Sequence, residues 1–435
     1  MIEQEKKRMF YGWVIVWLAF FTMLVAYSLR YNFSVFYVAI LENFGWGRGE
    51  TAAGFSVNLV IYALSCPVAG HLIDRFGVRK VVPAGAVLLG LTLAACSLIS
   101  EIWQFYLIIG ASAFGSCAMG YVPHVPMIAN WFRRRRGLAL GILSAGITAS
   151  AIIAPAIQYL ITTLGWKSAF LVLGGISAVV VAPVAAIFQR QQPNDDLEAG
   201  ADRLDPARSI EEMPADDLVL DPEWASRDWT FATTVRATRF WWLILMCVFL
   251  GLYTYTFLAH QVAYLIDAGY TKPFAAGIVA LFSILATVSS VFAFVSDYLG
   301  REVTFTMGSA CCLGGVILLQ ATQDAHNPWM PYLYASIFGF GFGMTVAMMA
   351  VTSADLFQGE HLGAINGMAM ACFVTGGALG PWLAGFTFDI TGSYQGIFPL
   401  MYLAILASTM FIWLASPRKV RAALGKAGAK EHVTA

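Results

Sequence analysis

Gly70-His71-Leu72-Ile73-Asp74-Arg75-Phe76-Gly77-Val78-Arg79-Lys80 has an echo in the second half of the chain, Ser296-Asp297-Tyr298-Leu299-Gly300-Arg301. The same 223-residue offset separates Asp74 from Asp297 and Gly77 from Gly300. A second echo pairs Pro155 and Gly165-Trp166 with Pro381 and Gly392-Ser393. Each copy of the first motif follows the second long apolar run of its half. Two halves built on one plan are the arrangement of membrane carriers that rock around a central site.

The composition agrees with that plan. Of 435 residues, 59% are hydrophobic and 12% charged, against about 45–50% and roughly 25% in soluble domains. So few charges cannot coat a soluble body of this size. Disorder, collagen-like repeats and a secreted disulfide scaffold are excluded, and an all-α integral membrane protein is expected. A helix needs about 20 apolar residues to cross a bilayer, and twelve runs qualify: Tyr11–Ile40, Thr51–Ile73, Val81–Ser100, Trp103–Ala129, Gly137–Leu164, Ser168–Phe188, Phe240–Leu265, Phe274–Val295, Val303–Gln320, Trp329–Ser353, Gly363–Phe388 and Gly396–Ala415. Outer-membrane strands alternate in polarity over about 10 residues, whereas these runs are continuous. The first is too long for a signal peptide and lacks a small-residue cleavage site.

The expected layout is an N-terminal segment 1–10, a six-helix bundle 11–189, an acidic linker 190–239, a second six-helix bundle 240–416 and a tail 417–435. The linker holds twelve carboxylates between Asp195 and Asp228. It cannot bury a core, and disorder or short amphipathic helices are its expected states, as a solvated tether between halves. With the N-terminus inside, the outer loops contain only Arg48, Lys167 and Lys272 as basic residues. The positive-inside rule then puts both termini in the cytoplasm. Lys+Arg and Asp+Glu both number 26, which gives no reason to expect a nucleic-acid partner.

Chemistry inside the spans is sparse. Arg30 is the only charge well within a run, and an intramembrane charge marks a functional site by default. Its side chain either faces a central cavity or snorkels to the outer headgroups. His124 and His260 are the embedded histidines, proton relays or hydrogen-bonded structure. Tyr27, Tyr31, Tyr121, Tyr253, Tyr255 and Phe373 fall near mid-span, where they either orient a ligand or pack. The seven cysteines lie in apolar runs without metal-ligand spacing and read as small buried hydrophobes. No metal, cofactor, nucleotide-binding motif or activated nucleophile is expected. The function classes are therefore a secondary carrier first, with a membrane enzyme or a non-transporting sensor behind it.

The GxxxDRxGxRK segment at 70–80, its weaker copy at 293–301, Tyr11-Gly12-Trp13, and the stretch Asn130 to Gly141 with its four arginines at 133–136 resemble the major facilitator superfamily. Within it, these motifs and Gly376 to Pro381 are similar to the monocarboxylate porters and their oxalate/formate-type relatives. The resemblance implies a single-chain carrier of a small organic monocarboxylate by alternating access, as a proton symporter or else as an anion exchanger or uniporter for another organic acid, with lipids as its other partners. It also implies a plasma membrane location, here a bacterial inner membrane. Gly70, Asp74, Arg75, Gly77, Arg79, Asp297, Gly300 and Arg301 would form a conformational latch, with Asp74 at the start of helix eleven and Asp297 at the start of helix five. Aligned on Val35-Phe36-Tyr37, Tyr31 falls opposite a functional lysine of the family, so the cation has moved by one residue to Arg30. The family's charged pair in helix eight, near Leu285 and Ser289, is missing, and so is a lysine in helix eleven. One cation neutralises one carboxylate, which favours a monoanion over a dicarboxylate.

Overall fold

The computed structural model of the chain describes residues 11–131, 136–189, 220–225, 227, 229–292, 295–357 and 362–420. Twelve helices among them are long and apolar enough to cross a membrane. Spans 1 to 6 are Tyr11–Phe44, Arg48–Ile73, Val78–Cys96, Ile102–Val125, Gly141–Leu164 and Trp166–Phe188. Spans 7 to 12 are Thr238–Asp267, Lys272–Ser290, Arg301–Ala321, Trp329–Ser353, Gly367–Thr391 and Gln395–Lys419. The all-helical fold of twelve spans agrees with the sequence, and boundaries move by a few residues. Large apolar side chains such as Phe21, Leu64, Leu107 and Ile390 stand exposed on the outer surface of the bundle. Such side chains belong against lipid rather than water.

The repeated motif has a backbone reason. Gly77 and Gly300 have φ of 78° and 96° with ψ of 157° and 154°, a region open almost only to glycine. Each ends one helix by donating its N–H to the residue four back, Ile73 at 2.8 Å and Ser296 at 2.9 Å, and starts the next. One dihedral choice thus turns the chain tightly between spans 2 and 3, and again between spans 8 and 9.

Several spans are not continuous α-helix. Span 1 breaks at Asn32, between helices Tyr11–Tyr31 and Phe33–Phe44. The Asn32 amide donates to the carbonyls of Ser28 at 2.7 Å and Ser150 at 2.9 Å. Ser150 opens a 3₁₀ turn, Ser150–Ile153, in span 5. The two irregular stretches therefore satisfy each other inside the protein, as non-helical backbone at membrane depth must. Span 4 breaks at Gly120.

The halves meet along spans 1, 2 and 5 on one side and 7, 8 and 11 on the other. The span 7–span 11 contact within the second half is close enough that a Cβ on Gly251 would stand 1.8 Å from the Phe373 carbonyl oxygen. The end of the acidic stretch is not free chain. Trp224 donates its indole N–H to the Leu356 carbonyl at 2.7 Å, and Trp229 is buried with its ring 5.1 Å from that of Phe357. Trp224 sits on the short helix Pro222–Ala225, and Trp229 just precedes a second, Phe231–Thr234. Residues 190–219, with most of the acidic run, and Arg133 to Arg135 lie outside the described residues.

Candidate functional site

Arg30 ends the first helix of span 1, in its last turn. The negative end of that helix favours a cation there, and the break at Asn32 exposes it. The side chain is 4% exposed. Its guanidinium carbon lies 3.9 Å from the centroid of the Tyr62 ring and 5.4 Å from that of Tyr27. Nη2 donates to Asn58 Oδ1 at 3.3 Å. Asn58 is itself fixed, donating to the Ile109 carbonyl at 2.7 Å and to Ser112 at 3.2 Å. The hydroxyls of Tyr27 and Tyr62 share a hydrogen bond of 2.6 Å.

What is missing around Arg30 matters most. Its Nε and Nη1 are buried and have no hydrogen-bond partner, and no carboxylate among the described residues pairs with it. A desolvated guanidinium stacked on a π face gains about 2 kcal/mol, far less than the cost of burying an isolated charge. Each unused N–H flanks Nη2 and can donate to an anionic oxygen, so the group suits a carboxylate in charge.

The sequence candidates divide into those near Arg30 and those elsewhere. Tyr27 and Tyr31 sit beside it on span 1, with ring centroids 6.2 Å apart. Tyr255 reaches the same place from the other half, close enough to interact electrostatically with Arg30. Its ring packs 5.4 Å from Phe373 and 6.0 Å from Phe55. Tyr27, Arg30, Tyr31, Tyr255 and Phe373 therefore form one group across the seam. Tyr253 is fully buried but turns toward Cys312 and Thr345 on spans 9 and 10. Tyr121 is half-buried on span 4 and packs against the core.

Both histidines are fully partnered. His124 Nδ1 lies 2.6 Å from the Gly120 carbonyl and Nε2 lies 3.0 Å from the Gln189 amide nitrogen. A carbonyl only accepts, so Nδ1 carries the proton and Nε2 accepts. His260 Nε2 donates to the Pro381 carbonyl at 2.8 Å, and Nδ1 is 3.0 Å from the Tyr394 hydroxyl. Burial pushes the Tyr394 hydroxyl up to about 12, so it stays protonated and donates to His260.

Sequence reasoning passed over a charged tie at the face carrying the span 1–2, 7–8 and 11–12 loops. Arg48 bonds both oxygens of Asp267, at 2.5 and 2.7 Å, and the Tyr394 hydroxyl at 2.9 Å. Asp389 accepts the backbone N–H groups of Arg48 and Gly49 at 2.8 and 2.7 Å. Lys272 reaches Glu42 at 2.5 Å. Every one of these bonds joins one half to the other. The residues look ordinary in sequence, because charges at span ends are the norm. Asn58 and Tyr62 were also missed, although their four-residue spacing puts them on one helical face.

Of the latch residues, Arg79 donates to the Ala186 carbonyl at 2.7 Å and Arg301 to Asp355 at 2.7 Å. Arg301 also bonds Ser296. Each of these bonds stays within its own half. Arg75 is exposed and stacks on Phe76, and Gly70 has open space around it. The side chains of Asp74 and Asp297 lie outside the described residues.

The chain is 27% identical over 415 residues to human monocarboxylate transporter 2, covering 93% of this chain and 84% of that protein. To mouse monocarboxylate transporter 11 it is 26% identical over 425 residues, covering 94% and 88%. Among solved structures, a bacterial homologue of the human lysosomal transporter Spinster, inward-facing and unoccupied, superposes with a TM-score of 0.64 at 14% identity. That match covers 93% of this chain and 95% of the other. The family model for the Major Facilitator Superfamily matches residues 19–381. With its twelve spans and repeated half, this chain belongs to the Major Facilitator Superfamily.

Proposed function

We propose that the protein carries a small organic monocarboxylate across a membrane by alternating access, as a proton symporter. The observation that carries this is Arg30, a buried guanidinium with two unpaired nitrogens at the seam between the halves. Its charge is compensated when a carboxylate accepts from the free N–H groups, and a second carboxylate on the same ligand would meet no cation. The relatives named as monocarboxylate transporters support the same substrate class. With both termini in the cytoplasm, the Arg48 tie closes the outer face. His260 is the better placed of the two histidines for a proton, since Tyr394 links it directly to Arg48. Gly77, Gly300 and the basic residues beside them would then engage across the inner face in the opposite state. Uptake of labelled lactate and an aromatic monocarboxylate into proteoliposomes, with and without an inward proton gradient, tests this reading. Gradient-driven accumulation is expected, with a dicarboxylate excluded. Preference for the dicarboxylate, or failure of every monocarboxylate to enter, would sink it.

A further inference from the structure

Cys66 and Cys117 lie with their sulfurs 3.5 Å apart, the Cys117 thiol donating to Cys66. Cys66 in turn donates to the Tyr62 carbonyl one turn earlier, at 3.3 Å. Span 2 turns Leu64 and Val68 outward, while Tyr62, Cys66, Ala69 and Ile73 lie on its inner face. Cys66 is half-buried there and Cys117, on span 4, is buried. The other five cysteines share no such thiol contact. The pair lies close enough to Tyr62 and Arg30 to interact electrostatically with both.

We propose that Cys66 and Cys117 form an oxidisable dithiol in the wall of the Arg30 site, and that closing it into a disulfide uncovers Arg30. The chemistry balances with a small diazenedicarboxamide oxidant. The Cys66 thiolate adds to one nitrogen of the N=N bond. The Cys117 thiolate then attacks the Cys66 sulfur, forming the S–S bond and expelling the hydrazide. The two sulfurs lose two electrons, the diazene gains them, and the hydrazine takes up the two thiol protons. A disulfide needs its sulfurs about 2.05 Å apart, so the pair must close by about 1.5 Å. That movement breaks the Cys66 bond to Tyr62 and drags the turn that holds the Tyr62 ring beneath Arg30 and its hydroxyl against Tyr27.

That Arg30 lies in a ligand site rests on the carboxylate reading above, so the test separates the two. Purified full-length protein is treated with the diazene, and the 66–117 linkage is read by peptide mass, which needs no ligand. Modification of Arg30 by phenylglyoxal, also read by mass, then reports how well Tyr62 still covers it. The expected result is a 66–117 disulfide reversed by dithiothreitol, with Arg30 modified about ten-fold faster in the oxidised protein, a loss of the size a cation–π contact supplies. Cys66→Ser and Cys117→Ser should each abolish both effects. Two singly alkylated cysteines after oxidation, or a disulfide that leaves the Arg30 rate unchanged, would overturn the proposal. Carboxylate binding by the reduced protein is measured alongside, and its absence would count against the transport reading alone.

Discussion

At the scale of single residues, the proposed carboxylate site rests on the arrangement around Arg30. The face of its guanidinium is used by Tyr62 and one end of the fork by Asn58, which leaves Nε and Nη1 for a ligand. Tyr62→Phe keeps the π face and loses only the hydrogen bond to Tyr27, so carboxylate affinity should fall by about 1 kcal/mol or less. Tyr62→Leu removes the face as well and should cost about 2 kcal/mol. Titration calorimetry on the two variants checks the order. An equal loss in both would show that the ring face is not what holds the cation. Arg30 was legible in the sequence because a charge inside an apolar run stands out. Asn58 and Tyr62 were not, since neutral polar residues are common in spans and their partner lies on another helix.

At the scale of elements, the apolar runs and the 223-residue echo made twelve helices and two copies of a turn readable before any coordinates. The reason is that both signals are local: continuous hydrophobicity sets a span, and a required φ sets a glycine. Gly300→Ala should therefore destabilise by about 1–3 kcal/mol, while Gly175→Ala, helical with open space around it, should be neutral or stabilising by about 0.5–1 kcal/mol. Thermal unfolding in detergent distinguishes them, and equal shifts would remove the special status of the repeated turn. The break in span 1 was not legible. Asn32 sits in an apolar run, and only the Ser150 carbonyl, supplied by a distant span, shows what its amide is for. Asn32→Ala removes the amide's bonds to the Ser28 and Ser150 carbonyls, at about 0.5–1.5 kcal/mol each, or about 1–3 kcal/mol together, in the same assay; an unchanged midpoint would mean that the break does not depend on the Asn32 amide.

At the scale of the whole molecule, the halves are tied at one face by Arg48, Asp267, Asp389, Tyr394, Lys272 and Glu42. Partly exposed ion pairs contribute little singly, about 0–1 kcal/mol, but Arg48 gathers a bidentate carboxylate, a tyrosine and a backbone contact on one residue. Arg48→Ala should shift the population by about 1.5–3 kcal/mol toward opening at that face. Spin-label distances across the span 1–2 and 7–8 loops would show a longer component, and an unchanged distribution would mean that packing alone holds the face shut. Sequence reasoning looked for the latch in the repeated motif, where Arg79 and Arg301 bond within their own halves here. The tie at the other face depends on pairs 219 to 346 residues apart, which no local pattern encodes. The measurement that bears most directly on the transport reading is equilibrium binding of a labelled monocarboxylate to purified wild-type protein and to Arg30→Gln. Losing a charge-assisted hydrogen bond is worth about 1.5–3 kcal/mol, so the variant should bind roughly ten- to hundred-fold more weakly; equal affinity in the two proteins would contradict the assignment of Arg30 as the anion site.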